Sequence, residues 1–324
     1  MLYKKLRVYS KVLEKIKSAQ KILCLSHKNP DLDTLWSACW IYQIILDNFP
    51  NKEVDLVCID KIPQKYEFLP NIQNFKQNFD PDDYDLIIFL DSWAKDQTWF
   101  DELYPKMYDK QSYNTLSIDH HITNQIYAKQ NILIVTYAST TMIVLEVFYL
   151  NWLIISPDAA TCLLAGLYTD TWAFKHSNTD KTAFLIASKL FELGWNHDII
   201  VNSFFRSNKL STIKLWWKII NDSFIWEDNV LYAYVNQTML DSYNSTYEDI
   251  TWVVDYLNTT ENINYTTLLT QKWDYIKASL RTLKDDIDLT KIASKYKWWW
   301  HKKASWFTVQ AKVEQLQSLN LIPE

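Results

Sequence analysis

The sequence predicts an α/β protein of two domains: a Rossmann-like, mostly parallel sheet domain followed by a smaller α+β domain. Three observations carry this. At 324 residues the chain is long enough for two domains of roughly 150 residues each. Short apolar runs alternate with helical patterns through the first half, as in a parallel sheet with crossover helices. Beyond about residue 220 that alternation stops, and hairpin signals and short helices replace it. The expected boundaries are 1–195 for the first domain, 196–220 for a helical connector and 221–324 for the second domain.

Each element follows from its local pattern. Lys21–Ser26, Val54–Ile59, Asp85–Leu90, Thr115–Ile118 and Asn131–Val135 read as buried strands, because they are short apolar runs closed by turn residues. Thr34–Asn48, Thr140–Asn151, Asp158–Tyr168 and Thr179–Leu193 carry helical spacing. The N-terminal stretch Met1–Gln20 is Lys-rich, with Leu6, Val12, Leu13 and Ile16 at helical intervals. It lacks the continuous apolar segment of a signal peptide. In the second domain Phe224–Gln237 reads as a hairpin, Tyr247–Asn258 as a helix, and Asn264–Gln271 with Tyr275–Thr282 as paired strands. A helix at Leu289–Tyr296, a strand at Phe307–Gln310 and a closing helix complete it.

Composition narrows the function. No apolar run reaches the 18 residues of a membrane span, so the expectation is a cytoplasmic protein with no membrane partner. The net charge of −5 argues against a long nucleic-acid track. Cys24, Cys39, Cys58 and Cys162 have neither paired nor zinc-type spacing and read as free core thiols.

The composition is also anomalous. The chain holds 16 Trp and only 2 Gly, Gly166 and Gly194, where average usage gives roughly 20 Gly. Trp226 and Trp273 sit where hairpin turns are expected, and Trp93 follows a strand and an Asp. A single assumption accounts for this: the codon UGA is read as glycine at its source, and tryptophan has been written in its place.

Four motifs carry chemistry. Ser26-His27-Lys28-Asn29-Pro30-Asp31-Leu32-Asp33-Thr34 follows a strand and opens a helix. One His and two Asp at the carboxyl end of a strand suit a divalent metal. The competing reading is a helix cap, with Asp33 or Thr34 as N-cap and solvated acids. Leu86-Ile87-Ile88-Phe89-Leu90-Asp91 ends an apolar strand on an Asp aimed at the position where ligands bind in such sheets. Ser117-Ile118-Asp119-His120-His121 places adjacent imidazoles after an acid that can fix a tautomer. Gly166-Leu167-Tyr168-Thr169-Asp170 puts a further acid after a helix.

In this order and spacing the four motifs resemble the DHH phosphoesterase family, over nearly the whole chain. Ala278-Ser279-Leu280-Arg281, Asp286-Ile287-Asp288-Leu289 and Trp298-Trp299-Trp300-His301 resemble the DHH-associated domain, whose last motif is Gly-Gly-Gly-His. Trp36, Trp93, Trp172, Trp298, Trp299, Trp300 and Trp306 all fall on family glycines. The resemblance implies an active site in the cleft between the domains, with two divalent ions, Mn²⁺ foremost. His27, Asp31 and Asp91 would hold one, and Asp33, Asp91, His120 and Asp170 the other. Asp91 and His121 would be the catalytic residues, with Asp119 behind them. Arg281, the loop at 298–300 and His301 would bind substrate phosphate.

The implied activity is water-driven hydrolysis of short nucleotides. It resembles that of the bifunctional oligoribonuclease and pAp phosphatase group (nanoRNase), acting on short oligoribonucleotides and 3′-phosphoadenosine 5′-phosphate. Relatives of the same architecture act instead on cyclic or linear dinucleotides, and an inactive nucleotide-binding protein is the non-enzyme alternative. Family members often dimerise through the first domain, which implies a homodimer.

Overall fold

The computed structural model describes residues 2–63, 66–151, 153–176, 179–194, 196–226, 228–296 and 302–311. It divides into two compact units, Met1–Arg206 and Ser207–Glu324. The segment 196–220 does not form a separate connector. Its first helix, α6 (His197–Phe205), closes the first unit, and α7 (Leu210–Asp222) opens the second.

The first unit is built on a six-stranded sheet: β1 (Lys21–Leu25), β2 (Glu53–Val57), β3 (Phe75–Lys76), β4 (Leu86–Leu90), β5 (Thr115–Asp119) and β6 (Gln130–Leu133). Its order is β3-β2-β1-β4-β5-β6, and every pairing is parallel. The central strands are buried on both faces, which is why they read as unbroken apolar runs rather than alternating ones. β3 is only two residues long and left no apolar run in the sequence.

Helices α1 (Leu2–Ser18), α2 (Leu32–Asn48), α3 (Thr140–Tyr149), α4 (Pro157–Asp170) and α5 (Lys181–Glu192) precede or follow these strands. α2 is buried along nearly its whole length, including Trp36 and Trp40 at 0% exposure. One core joins α1, α2, α3 and α4 to one face of the sheet; Leu23, Leu25, Ile87 and Phe89 point into a second cluster with Phe100 and Tyr127. All four cysteines are buried and free.

The second unit is a five-stranded mixed sheet in the order β11-β10-β9-β8-β7. β7 (Phe224–Ile225) and β8 (Val230–Val235) form the expected hairpin, whose left-handed residue is Asn229 rather than Trp226. β9 (Tyr265–Lys272) runs parallel to β8 and antiparallel to β10 (Tyr275–Arg281), and β11 (Ala304–Gln310) pairs antiparallel with β10. The helix expected over Tyr247–Asn258 is shorter, α9 (Val253–Leu257), after α8 (Gln237–Ser242). α10 (Thr290–Ala293) continues as a 3-10 turn to Tyr296. The closing helix expected at the C-terminus lies outside the described residues. No helix among the described residues is long and apolar enough to cross a membrane.

Candidate metal centre

Every acid and imidazole singled out in the four motifs of the first unit converges on the carboxyl ends of β1, β4 and β5. His27 lies two residues beyond β1, and its Nδ1 meets the Lys28 carbonyl at 2.8 Å. That contact turns Nε2 inward, 3.6 Å from Asp31 Oδ1 and 3.7 Å from Asp91 Oδ2. Nε2 is buried and makes no hydrogen bond.

Asp31 is the N-cap of α2 and accepts from the backbone N–H of Asp33 and Thr34 at 3.1 and 3.2 Å. The cap is therefore Asp31, not Asp33 or Thr34, and the same carboxylate both starts the helix and faces His27. Asp33 is buried and accepts from the backbone N–H of Thr140 at 2.6 Å and Thr141 at 3.0 Å. Those donors are first-turn amides of α3, which are orphaned in any helix.

Asp91 directly follows β4 with a left-handed backbone, φ 54. A non-glycine residue rarely sits there, and such strain gathers at functional sites. Its Oδ1 accepts a 2.8 Å bond from Thr140 Oγ1 and lies 3.5 Å from His120 Nε2 and 3.5 Å from His121 Nδ1. His120 Nε2 is in turn 3.8 Å from Asp170 and 4.0 Å from Asp33, while its Nδ1 meets the Tyr137 carbonyl at 3.1 Å.

Asp119 organises the imidazole pair. Its Oδ1 takes the backbone N–H of His120 and the Nδ1 of His121 at 2.8 and 2.7 Å, and Asn124 donates to Oδ2 at 2.6 Å. Burial opposes its charge, yet His121 and Asn124 hold the carboxyl down to about 2. Burial likewise opposes a charged His121, but Asp119 and Asp91 outweigh it and lift the imidazole to about 9. Burial first, then the neighbouring carboxylates, push Asp33 and Asp170 well above the usual range. The Asp31 and Asp91 carboxylates hold His27 high against burial.

The donor set fits divalent ions. Imidazole and carboxylate atoms of His27, Asp31 and Asp91 lie within 4.8 Å of one another, and so do those of Asp33, His120 and Asp170 and those of Asp91, His120 and His121. Separations of 3.5–4.0 Å are too long for hydrogen bonds. They fall between the separations of neighbouring (about 3 Å) and opposite (about 4.2 Å) ligands around a six-coordinate ion bonded at about 2.0–2.2 Å. The crowding of acids that raises Asp33 and Asp170 is what a dication relieves.

Motif reading missed Ser139, Thr140 and Thr141. Ser139 caps α3, Thr140 and Thr141 donate into the acids, and all three are buried. Ser-Thr-Thr before an apolar helix is a visible N-cap signal; its aim at Asp33 and Asp91 is set by tertiary structure. Arg281 lies in the second unit, where its Nε donates to Asp255 at 2.8 Å. Trp298, Trp299, Trp300 and His301 lie outside the described residues.

Residues 21–167 match the DHH family, N-terminal domain. That match lies wholly within the first unit, from β1 to most of α4. The chain is 26% identical over 300 residues to the bifunctional oligoribonuclease and PAP phosphatase NrnA of Mycoplasma genitalium, covering 91% of each. It is 27% identical over 191 residues to a probable protein of the same name from Streptococcus mutans, of which the match spans 56%. Among solved structures, an exopolyphosphatase-related protein from Bacteroides fragilis superposes with a TM-score of 0.86 at 20% identity, covering 97% of this chain and 94% of that one. Thermus thermophilus RecJ, solved with Mn²⁺, gives 0.56 at 11% identity, with 98% of this chain and 53% of RecJ covered. Both likenesses are of fold alone.

Proposed function

We propose that the chain is a metal-dependent phosphoesterase that hydrolyses short nucleotides, both oligoribonucleotides and pAp, using two divalent ions. The observation that carries this is the buried, hydrogen-bond-free Nε2 of His27, facing Asp31 and Asp91 at ligand spacing. His27, Asp31 and Asp91 would hold one ion, and Asp33, Asp91, His120 and Asp170 the second, with Asp91 shared. The mix of imidazole and carboxylate favours Mn²⁺ over Mg²⁺, which prefers an all-oxygen shell. When bound, such a pair supplies an activated water and neutralises the reacting phosphate. Asp119 fixes His121 through Nδ1, so that its other nitrogen can meet a phosphate oxygen. The relatives' names support the substrate class, and the modest negative charge suits short substrates better than a long track.

The test is Mn²⁺-dependent turnover of pApA, pAp, cyclic di-AMP and pyrophosphate. Hydrolysis of pApA or pAp with loss of rate in Asp91→Asn is expected. Preference for cyclic di-AMP would move the chain to the dinucleotide reading, and no turnover of any would make it an inactive relative.

We further infer that the tryptophans stand at glycine positions. Trp99, Trp172 and Trp273 have φ of 59, 46 and 60, in the left-handed region that glycine occupies without a Cβ penalty. Trp40 is fully buried with its indole N–H unbonded, a rare state for Trp. Trp93 lies against His121 at 4.8 Å, where a glycine would leave room for a phosphate. The coding DNA decides this: UGA codons at the 16 positions are expected, and UGG codons would refute it.

A further inference from the structure

Helix α3 carries a single charge, Glu146, in an otherwise apolar run from Met142 to Tyr149. A carboxylate on such a helix is costly unless it is paired. Its partners come from α1, where Lys5 and Tyr9 are four residues apart and so share one face. The Lys5 ammonium donates to the two Glu146 oxygens at 3.0 and 3.1 Å, and the buried Tyr9 hydroxyl donates to Oε2 at 2.6 Å. Lys5 also donates to the Tyr137 hydroxyl at 3.0 Å.

Tyr137 lies in the segment 134–139 that joins β6 to α3. Besides the Lys5 bond, its N–H donates to the Ile134 carbonyl at 3.1 Å, and its own carbonyl meets His120 Nδ1 at 3.1 Å. A carbonyl has no proton to give, so Nδ1 must carry the hydrogen. In the neutral ring this leaves the Nε2 lone pair facing Asp33, Asp91 and Asp170, which is the tautomer a metal ligand needs. The same segment begins at Ile134, whose N–H donates to the Asp119 carbonyl at 3.2 Å. It runs into Thr140 and Thr141, which donate to Asp33 and Asp91. Whatever holds this segment therefore acts on three of the assigned ligands at once.

We propose that Tyr137 is a positioning residue of the metal centre, acting through its carbonyl on His120, and that Lys5 and Glu146 form the clamp that holds it in place. The N-terminal helix, which contributes no ligand, thereby sets the orientation of one. The effect on metal affinity rests on the two-ion reading of the centre. The effect on the His120 tautomer does not, since it is present without an ion.

The test uses the full chain with Tyr137→Phe, Lys5→Met and Lys5→Arg, and Val12→Ala as a control. Val12 is fully buried on α1 and carries no polar side-chain group, so its truncation loosens the same helix without touching the clamp. In metal-free protein with isotope-labelled histidine, NMR of the wild type is expected to show His120 in the Nδ1–H form alone. Tyr137→Phe and Lys5→Met are expected to bring in the Nε2–H form, and Lys5→Arg to restore the wild-type spectrum. In calorimetric titration with Mn²⁺, Tyr137→Phe and Lys5→Met are expected to bind about 10-fold more weakly, the lower end of the range for groups that orient a ligand. Val12→Ala should melt lower, as a buried truncation does, yet bind Mn²⁺ as the wild type does. Wild-type His120 signals in both Tyr137→Phe and Lys5→Met would overturn the clamp. An equal loss of Mn²⁺ affinity in Val12→Ala would overturn it too, by marking the effect as general loosening of α1. If Tyr137→Phe does not fold, Lys5→Met is compared with Lys5→Arg, and identical His120 signals in the two would overturn the proposal. A shifted His120 tautomer in a chain that binds no Mn²⁺ would keep the clamp and defeat the two-ion reading instead.

Discussion

Thr140 reaches two acids at once: its hydroxyl donates to Asp91 Oδ1 at 2.8 Å, and its backbone N–H donates to Asp33 Oδ2 at 2.6 Å. One residue at the start of α3 thus fixes carboxylates from two other elements, the end of β4 and the first turn of α2. Loss of a group that orients a metal ligand typically costs about 10- to 100-fold in affinity or activity. Thr140→Val removes the hydroxyl and keeps the backbone bond and the volume. It is expected to weaken Mn²⁺ binding within that range, measured by calorimetric titration, while Thr140→Ser stays near wild type. Equal affinity in Thr140→Val would show that the hydroxyl does not orient Asp91.

Gly166 packs α4 against the same acids. A Cβ at this position would lie 2.5 and 2.8 Å from the Thr141 side chain and 3.2 Å from Asp33 Oδ1. Because Thr141 also donates its N–H to Asp33, the clash would push on the ligand as well as on the helix contact. Overpacking of this kind costs about 1–3 kcal/mol, so Gly166→Ala is expected to lower the thermal midpoint and the Mn²⁺ content together. A variant with a native midpoint and full metal content would show that α2 and α4 separate freely.

Removing metal should expose the repulsion among the acids. Asp33 and Asp170 are both raised, burial being the largest cause and the neighbouring carboxylates the next. Mn²⁺ at about 100 times its dissociation constant would stabilise the fold by about 2.7 kcal/mol. The wild type is expected to melt higher with Mn²⁺ than with EDTA. Asp170→Asn should raise the EDTA midpoint by relieving repulsion and shrink the gain from Mn²⁺. Differential scanning calorimetry of both proteins in both buffers checks this, and an unchanged gain in Asp170→Asn would remove it from the ligand set.

Lys277 gives a pH signature distinct from the metal centre. The groups facing it are Lys272 on β9, Arg281 on its own strand and Trp306 on β11, with Asp255 already engaged by Arg281. Its folded value of about 8 lies below the ordinary 10.5, so between these values the unfolded chain binds more protons than the folded one. Stability from this group therefore rises with pH through that window, and its penalty is constant below pH 8. Lys277→Met is expected to melt higher than wild type at pH 7, with the gap closing as pH approaches 10.5. A gap independent of pH would mean that the ammonium carries no burial penalty.

The first unit was legible because its strands are fully buried and its chemistry sits directly at their ends. Asp91 after Leu86–Leu90 and the Asp119-His120-His121 run after Thr115 could be placed from periodicity alone. The contributions of Thr140, Thr141 and Gly166 were not legible, since each acts across more than a hundred residues or between helices, and the sequence shows only a cap and a small residue. In the second unit the Tyr247–Asn258 helix was overread. Its apolar spacing is genuine, yet residues before Val253 form turns held by Thr246 and Asp249 side-chain bonds. Such local bonds compete with helix formation and leave no periodic trace.

The tryptophans at positive φ permit a stability test that needs no substrate. Trp273 begins the two-residue turn between β9 and β10, with φ 60 and 88% exposure, so it carries backbone strain and buries almost nothing. A left-handed L-residue costs roughly 1–2 kcal/mol that glycine does not incur. Trp273→Gly is therefore expected to stabilise the protein by about 1 kcal/mol, with Trp99→Gly, at φ 59 and 62% exposure, close behind after loss of its contact with Lys28. Trp217 supplies the contrast: it is 69% exposed on α7, outside the left-handed set. There glycine should destabilise by about 1 kcal/mol, its ordinary helix cost. Opposite signs at two largely exposed tryptophans would tie the effect to backbone geometry, because loss of an exposed indole alone predicts the same sign at both. If Trp273→Gly lowered the denaturation midpoint as Trp217→Gly does, the β9–β10 turn would favour its tryptophan and the glycine reading would lose its support there.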